Sequence, residues 1–254
     1  MIRPEKTSEL GSRLATLLAL ASPPMVLVFL SYLQSRPNTD RVVLPGPFDG
    51  RRAFNDLKRL VAFGPRPSGS QALERCRAFI ISDLHGANVS VAEDSFTSTT
   101  PIGSILMTNI EAMIPGATSS IVIIGGHYDT KRMATRFVGA NDGGSSTAFL
   151  IELARVLAGR KHKLTYWVVF FDGEEAVARW SATDGRYGSR HFAQRLADAG
   201  AQHQIKAAIV IDMIGDAHLD IQRERLNSMA DGPCFQPSEE PGLRALLRDP
   251  QQEN

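Results

Sequence analysis

The chain has 254 residues, enough for one substantial domain with a buried core. Its hydrophobic fraction of 43% and charged fraction of 22% are those of an ordinary globular protein. The 28 Lys and Arg residues nearly balance the 27 Asp and Glu residues, and the basic residues are scattered along the chain. This pattern excludes the clustered basic surface of a nucleic-acid-binding protein, so we expect no nucleic-acid partner.

An apolar segment near the N-terminus predicts export or membrane anchoring. It runs from Leu14 to Leu33 after several basic residues, and its length is close to the ~20 residues that span a bilayer. We predict a signal peptide or N-terminal membrane anchor over residues 1–35 and a Pro- and Gly-rich linker over 36–50. The expected location is periplasmic, extracellular or anchored to the membrane. A buried helix of the soluble domain is disfavoured because Pro23-Pro24 would break it.

Helical and strand patterns alternate along the rest of the chain, which predicts an α/β domain. Apolar residues at helical spacing predict helices over 51–63, 71–85, 145–157 and 189–199. Alternating or β-branched apolar runs predict strands over 89–96, 105–114, 120–125, 164–171 and 207–211. The apolar run from Ile121 to Ile124 is typical of a central strand that is buried on both faces.

Polar side chains follow three successive predicted strands. His127 and Asp142 come after one strand, Glu174 and Glu175 after the next, and Asp212 after the third. Ligands of α/β folds bind beyond the carboxyl ends of strands, and crowded carboxylates there need a cation or a shared proton. Taken alone, Asp142 could be a helix N-cap and the Glu pair a solvated turn. These ordinary explanations would all have to coincide at equivalent places in one sheet, which favours a functional site.

The ordered motifs around these residues resemble a known enzyme family. Their sequences are HYD at 127–129, GANDGGSS at 139–146, FFDGEEA at 170–176 and DMIG at 212–215. They resemble the zinc aminopeptidases of metallopeptidase family twenty-eight, and are closer still to the glutaminyl-peptide cyclotransferase relatives of those enzymes. The closer resemblance adds the segments FDGRRA at 48–53, GPR at 64–66, WS at 180–181 and YGSRH at 187–191. It implies a three-layer αβα sandwich with a mixed, mostly parallel central sheet.

The same resemblance implies the roles of individual residues. It makes Asp142 and Glu175 zinc ligands, Glu174 the general acid/base, and Asp212 part of the supporting acidic network. Carboxylate oxygens suit zinc, and a Glu beside the metal can shuttle a proton. Trp180 would line the substrate pocket, while an ordinary core position for this aromatic side chain remains open.

Two reactions are compatible with this set of residues. In the cyclotransferase reaction, one zinc ion and Glu174 convert the N-terminal Gln of a peptide or protein into pyroglutamate with release of ammonia. In the aminopeptidase alternative, two zinc ions share Asp142, His127 and Asp212 complete the second metal site, and the N-terminal residue is hydrolysed. The tryptophan loop and the segment 187–191 favour the cyclotransferase, which is therefore our prediction.

A third hypothesis is an inactive, membrane-tethered scaffold. The resemblance implies a further histidine ligand well downstream, whereas the sequence after Gly215 contains only His218. Residues 229–254 have no core-forming period and predict a disordered tail. We therefore expect an incomplete domain over 51–228, truncated at its C-terminus, with weak metal binding and little activity.

Overall fold

The computed structural model of the protein describes residues 48–219, so the predicted N-terminal segment 1–35 and tail 229–254 lie outside the described residues. The described helices are α1 (Gly50–Ala62), α2 (Gln71–Gly86), α3 (Gly144–Ala158) and α4 (Tyr187–Asp198), with a short 3₁₀ helix at Ala201–Gln204. The described strands are β1 (Ser90–Thr100), β2 (Gly103–Ile114), β3 (Ile121–His127), β4 (Thr165–Phe171) and β5 (Ile205–Val210). Every predicted helix and strand is present, and only β1 differs from its predicted bounds by more than two residues.

The five strands form one mixed sheet in the order β1-β2-β4-β3-β5. β2 runs antiparallel to both β1 and β4, whereas β3 runs parallel to both β4 and β5. The mixed sheet of the predicted α/β sandwich is confirmed. Its parallel part contains the three strands that carry the polar residues, so the carboxyl ends of β4, β3 and β5 lie side by side.

Alternate residues of β4 face opposite layers of helices. Val168 and Phe170 belong to a core that includes residues of α1, α2 and α3. Val169 and Phe171 belong to a second core, on the opposite face, with Phe192 of α4. Because successive strand residues point to opposite faces, this alternation places helices on both sides of the sheet. The three-layer arrangement is therefore confirmed.

Strand β3 is buried on both faces, as its apolar run predicts. Ile124 packs in the core below α1, α2 and α3, and Ile121 and Ile123 pack in the core that contains α4. Complete burial of each such side chain contributes about 1.5–3 kcal/mol of hydrophobic free energy. The strand that ends at His127 is thus one of the most firmly packed elements of the domain.

The hairpin of β1 and β2 extends beyond the part of the sheet that the apolar pattern predicts. β1 continues to Thr100, which pairs with Gly103 and donates a hydrogen bond from Oγ1 to its carbonyl oxygen at 2.6 Å. The segment 97–100 is entirely Thr and Ser, so it lacks the alternation that would predict a strand. β2 pairs with β4 only from Ile110 to Ile114, and the hairpin therefore projects past the edge where β4 ends.

Helix α1 begins at Gly50, so the predicted domain boundary at residue 51 falls inside its first turn. Asp49 caps the helix by accepting from the backbone N–H groups of Arg51 and Arg52. Arg52 also donates to both carboxylate oxygens of the buried Glu152, at 2.6 and 2.7 Å. This bidentate pair holds the start of α1 against α3. The remaining domain boundaries stay predictions.

Within residues 48–219, no helix has the length and apolar composition needed to cross a membrane. The apolar segment from Leu14 to Leu33 is not part of this region. Export and membrane anchoring therefore stay predictions from the sequence.

Candidate metal and active site

The carboxyl ends of β3 and β5 bring three potential metal ligands together. Nε2 of His127, the last residue of β3, lies 3.1 Å from Asp142 Oδ1 and 3.4 Å from Asp212 Oδ1. Asp142 precedes α3, and Asp212 follows β5. The three ligand atoms lie within 4.8 Å of one another, a spacing that suits a shared metal ion. The sequence placed these residues at strand ends, and the fold makes them neighbours.

Asp142 is not a helix N-cap. The N-cap of α3 is Gly143, and no side chain forms a capping hydrogen bond there. Gly143 has a φ of +74°, and a Cβ at this position would lie 2.9 Å from the ring carbon Cε1 of His127. Only glycine permits this close approach in this backbone conformation. The loop can therefore bring the Asp142 carboxylate against the histidine ring, and the capping explanation is wrong.

The imidazole of His127 is arranged as a metal ligand would be. Nε2 is buried and forms no hydrogen bond of acceptable geometry with the described residues, although two carboxylate oxygens lie close to it. Burial lowers the pKa of His127, but the hydrogen bond with Asp129 and the nearby carboxylates of Asp142 and Asp212 outweigh it and raise the pKa well above its ordinary value. A cation held by Nε2 and the carboxylates of Asp142 and Asp212 would replace the proton that this arrangement otherwise retains. Zinc takes histidine nitrogen and carboxylate oxygen ligands, so these residues fit it.

Asp129 is a site residue whose importance the sequence analysis missed. It is fully buried and lies 3.2 Å from Nδ1 of His127. Its two oxygens also accept from the backbone N–H groups of Glu174, at 3.2 Å, and Glu175, at 3.3 Å. It therefore orients the histidine and fixes the backbone of both glutamates. The spacing of the two residues could have predicted this contact, because residues i and i+2 of an extended chain point to the same side and Asp129 lies two residues after His127.

Glu174 is a half-buried carboxyl group beside this cluster. Burial raises its pKa to about 8, and the charge of His127 opposes that shift while those of Asp129 and Glu175 add to it. A carboxyl group with a pKa near neutrality can both accept and donate a proton under physiological conditions. Its predicted role as general acid/base is compatible with this environment and stays a prediction.

Glu175 is buried next to Asp142 and is not part of the three-ligand cluster. Burial raises the pKa of Glu175 to about 7, and repulsion from Asp142 and Asp129 adds to the shift. Burial also acts to raise the pKa of Asp142, but the neighbouring His127 and Glu175 outweigh it and lower the pKa. Lys131 Nζ lies 3.3 Å from Glu175 Oε2. Glu175 is thus close enough to Asp142 to interact with the same cation.

Trp180 lies on the loop between β4 and α4, close to the glutamates. Its ring packs against Gly185, where a Cβ would come within 2.5 Å of the ring carbon Cζ3. The Lys131 ammonium group lies 5.3 Å from the centre of the ring and also contacts Glu175. Trp180 is half-buried and belongs to none of the hydrophobic clusters of the described residues. This position is compatible with a wall of the site, and the role of Trp180 stays a prediction.

The guanidinium group of Arg66 ties two segments of the site together. Arg66 is buried, and its guanidinium donates to backbone carbonyls rather than to a carboxylate. The acceptors are the carbonyl oxygens of Leu60, Gly64, Tyr128, Val138 and Gly139. Burial lowers the pKa of the group. Tyr128 precedes Asp129, and Gly139 begins the segment that carries Asp142. Arg66 therefore fixes the backbone next to both aspartates.

Comparison with known proteins gives the family. Residues 109–231 match Peptidase family M28. A glutaminyl-peptide cyclotransferase from Drosophila melanogaster is 32% identical over 158 residues, and an Acidobacteriales bacterium glutaminyl cyclase structure is 38% identical with a TM-score of 0.66. These findings support a glutaminyl cyclase-like member of Peptidase family M28. The resemblance predicted from its motifs is confirmed.

These similarities to Peptidase family M28 members are partial in length. The Drosophila alignment covers 59% of this chain and 45% of the relative. A Gloydius blomhoffii glutaminyl-peptide cyclotransferase is 34% identical, and its alignment covers 63% of this chain and 50% of the relative. The alignment with the Acidobacteriales structure covers 70% of this chain and 63% of that structure. A Porphyromonas gingivalis glutaminyl cyclase structure is 28% identical, with a TM-score of 0.60, and its alignment covers 66% of this chain and 60% of that structure. The chain spans about half the length of the curated relatives that it matches.

Proposed function

We propose that the protein is a zinc-dependent glutaminyl-peptide cyclotransferase, which converts the N-terminal Gln of peptides or proteins into pyroglutamate and ammonia. The observation that carries this proposal is the half-buried carboxyl group of Glu174, with a pKa raised to about 8, beside the cluster of His127, Asp142 and Asp212. The names of its relatives support the choice of reaction. Export of the protein is inferred from the sequence alone.

Zinc would be held by His127, Asp142 and Asp212, whose ligand atoms lie within 4.8 Å of one another. When bound there, zinc supplies Lewis-acid polarisation of the side-chain amide carbonyl of the substrate. Asp129 accepts from Nδ1 of His127 and so leaves the Nε2 lone pair facing the metal position. Glu175 would contribute from beside Asp142. One ion is proposed, because residues 48–219 contain one such cluster.

Glu174 would move the proton that cyclisation requires. A bond forms between the α-amino nitrogen and the side-chain amide carbon, and the bond from that carbon to the amide nitrogen breaks. The amine must lose a proton, and the departing nitrogen must gain one to leave as ammonia. A carboxylate fixed between the two nitrogens can perform both transfers. The hydrogen bond from the Glu174 backbone N–H to Asp129 fixes the backbone from which this carboxylate extends.

The substrate site would be closed on one side by Trp180. The ring offers an apolar surface for the methylene groups of the glutamine side chain. Lys131, which lies between this ring and Glu175, neutralises part of the negative charge at the entrance. The expected partners are therefore the N-termini of peptides and proteins.

In the first test, the 254-residue protein is loaded with zinc and assayed with two matched peptides, one that begins with Gln and one that begins with Leu. The expected result is slow ammonia release from the first, in line with the little activity expected from the sequence, without cleavage of the second. Cleavage of the Leu-initiated peptide would instead identify an aminopeptidase. Zinc binding without either reaction would identify an inactive scaffold.

The second test replaces the proposed proton carrier. Glu174→Gln should lower kcat by about 10²–10⁴-fold, the usual contribution of general acid–base catalysis, while zinc remains bound. Glu175→Gln is the matched control at the adjacent position, and it should weaken zinc binding. Loss of zinc from Glu174→Gln, with zinc retained by Glu175→Gln, would show that the two roles are exchanged.

A further inference from the structure

One edge of β2 is open where the hairpin projects past the end of β4. β2 pairs with β1 from Gly103 to Met113 but with β4 only from Ile110 onward. Residues 104–108 of β2 therefore have no neighbouring strand on the β4 side within the described part of the chain. This open edge lies at the same end of the sheet as the carboxyl end of β4.

The direction of the backbone groups along this edge follows from Thr108. Its N–H donates to Asp172 Oδ2 at 2.9 Å, and its carbonyl oxygen accepts from the Tyr128 hydroxyl at 2.6 Å. Both groups therefore point away from β1. In an antiparallel pair, alternate residues direct their backbone groups to opposite sides, so those of Ser104 and Leu106 point the same way as those of Thr108. Within residues 48–219, nothing bonds to the backbone N–H or C=O of Ser104 or Leu106 on this side.

A cleft of about 300 Å³ borders the open edge, between the hairpin and the start of α2. Two large apolar side chains of the hairpin are exposed here, Ile102 at 58% and Leu106 at 64%. Exposed and unpaired apolar edges promote unwanted strand pairing, and proteins usually cover or charge them. An edge that is left apolar and open therefore indicates a partner.

The cleft shares two lining residues with a groove at the candidate active site. Ser68 and Arg132 line it, and the same two residues line a small groove that also contains Asp129 and Glu175. The edge of β2 therefore lies next to residues that border the active site, within reach of a peptide whose N-terminus is held there. The arginines of the cleft are already engaged within the protein. Arg77 pairs with Glu93 at 3.0 Å, and Arg132 donates to the Ser68 carbonyl oxygen.

We infer that the edge of β2 at Ser104–Leu106 binds the substrate peptide downstream of its N-terminal residues, as an added β-strand. This inference rests on the proposed function and specifies its substrate as an extended, unfolded N-terminal segment. Strand addition supplies main-chain hydrogen bonds that do not depend on sequence, while apolar contacts at alternate positions supply selectivity. Ile102 and Leu106 provide such contacts beside the open edge.

The deciding experiment measures binding rather than turnover. Dissociation constants are determined for a Gln-initiated hexapeptide and a Gln-initiated dipeptide amide, with the wild-type protein, Leu106→Pro and Leu106→Ala. Proline at position 106 removes only an N–H that points away from β1, a position where edge strands tolerate it. Leu106→Pro should reduce the preference for the hexapeptide over the dipeptide by about tenfold, as expected for the loss of one or two hydrogen bonds. Leu106→Ala keeps the N–H and should reduce that preference by less.

A second measurement does not require a variant to fold. Hexapeptides that are N-methylated at one or the other set of alternate residues are bound to the wild-type protein. One set should weaken binding about tenfold and the other should not, because only alternate groups of an added strand face β2. Equal binding of all hexapeptides, or no gain in affinity over the dipeptide, would overturn the inference.

The outcomes separate this inference from the proposed function. If the dipeptide releases ammonia and binding does not depend on peptide length, peptide binding at the edge of β2 is contradicted and the proposed cyclotransferase activity is retained. Binding of the hexapeptide at the edge without ammonia release from either peptide would contradict the cyclotransferase alone.

Discussion

Asp129 shows how one buried side chain can position several functional groups. Its carboxylate contacts Nδ1 of the His127 ring and accepts hydrogen bonds from the backbone N–H groups of Glu174 and Glu175. The residues that it joins come from the ends of two different strands. A carboxylate that holds a metal-binding histidine in one orientation affects metal affinity without touching the metal.

Asp129→Asn is therefore expected to weaken zinc binding by about 10–100-fold, the usual effect of replacing such a supporting carboxylate. The amide keeps the size of the side chain, but its NH₂ group cannot accept from a backbone N–H. Competition with a zinc-sensitive chromogenic chelator measures the change. Asp198→Asn, at an exposed site at the end of α4, is the control and should leave zinc affinity unchanged. Equal zinc affinities for the two variants would show that Asp129 does not support the histidine.

The loop between β4 and α4 is organised by a single carboxylate. Asp184 is buried, and its two oxygens accept four hydrogen bonds. The donors are the backbone N–H groups of Val177, Ala178 and Arg179 and the hydroxyl of Tyr187, at 2.7–2.9 Å. Burial acts to raise the pKa of Asp184, but the backbone hydrogen bonds outweigh it and lower the pKa. The loop that carries Trp180 is thus closed upon Asp184.

Asp184→Asn should loosen this loop, because one oxygen acceptor becomes a donor that faces other donors. The expected loss in free energy of unfolding is about 1–3 kcal/mol, measured by urea denaturation. KM for a Gln-initiated peptide should rise several-fold with a smaller change in kcat, because the proposed role of Trp180 is to bind substrate and not to move a proton.

Tyr187→Phe provides the matched control for the loop, since it removes one of the four hydrogen bonds and keeps the ring. It should cost about 1 kcal/mol, less than Asp184→Asn. A Tyr187→Phe variant that is destabilised as much as Asp184→Asn would place the effect in the start of α4 rather than in the loop.

The stability of the whole domain should depend on pH through Asp172. This residue is fully buried, where it accepts from the Ser68 hydroxyl at 2.7 Å and the Thr108 N–H at 2.9 Å. Burial raises the pKa of Asp172 from 3.8 to about 7, and repulsion from Asp129 adds to the shift. Between about pH 4 and pH 7 the native protein therefore holds a proton that the unfolded chain has lost.

The free energy of unfolding should accordingly fall as the pH rises through this window, because the unfolded state binds fewer protons there. The contribution of Asp172 amounts to about 4 kcal/mol at most over the window. Asp172→Asn cannot ionise and should lack this part of the slope. Urea denaturation between pH 4 and pH 7.5, with a chelator present throughout, measures both proteins. Parallel pH profiles for the wild type and the variant would contradict a raised pKa at Asp172.

Much of the fold follows from local patterns. The helices and the strands β2–β5 are visible in the spacing of their apolar residues, since a period near 3.6 or 2 determines which face can be buried. The end of β1 could not be predicted, because its Thr and Ser residues carry no apolar alternation and pair only through the backbone of β2. The family could be predicted because its motifs are short, ordered and local.

The sequence by itself determined the identity of the helices and strands, the family, and the placement of His127, Asp142, Glu174, Glu175 and Asp212 next to strand ends. These features depend on residues close together in the chain. Only the tertiary structure decided that β4, β3 and β5 are neighbours, that Asp129 joins the histidine to the glutamates, and that β2 keeps an open edge. Those arrangements depend on hydrogen bonds and packing between distant segments, and the strand order that selects them is a property of the folded core.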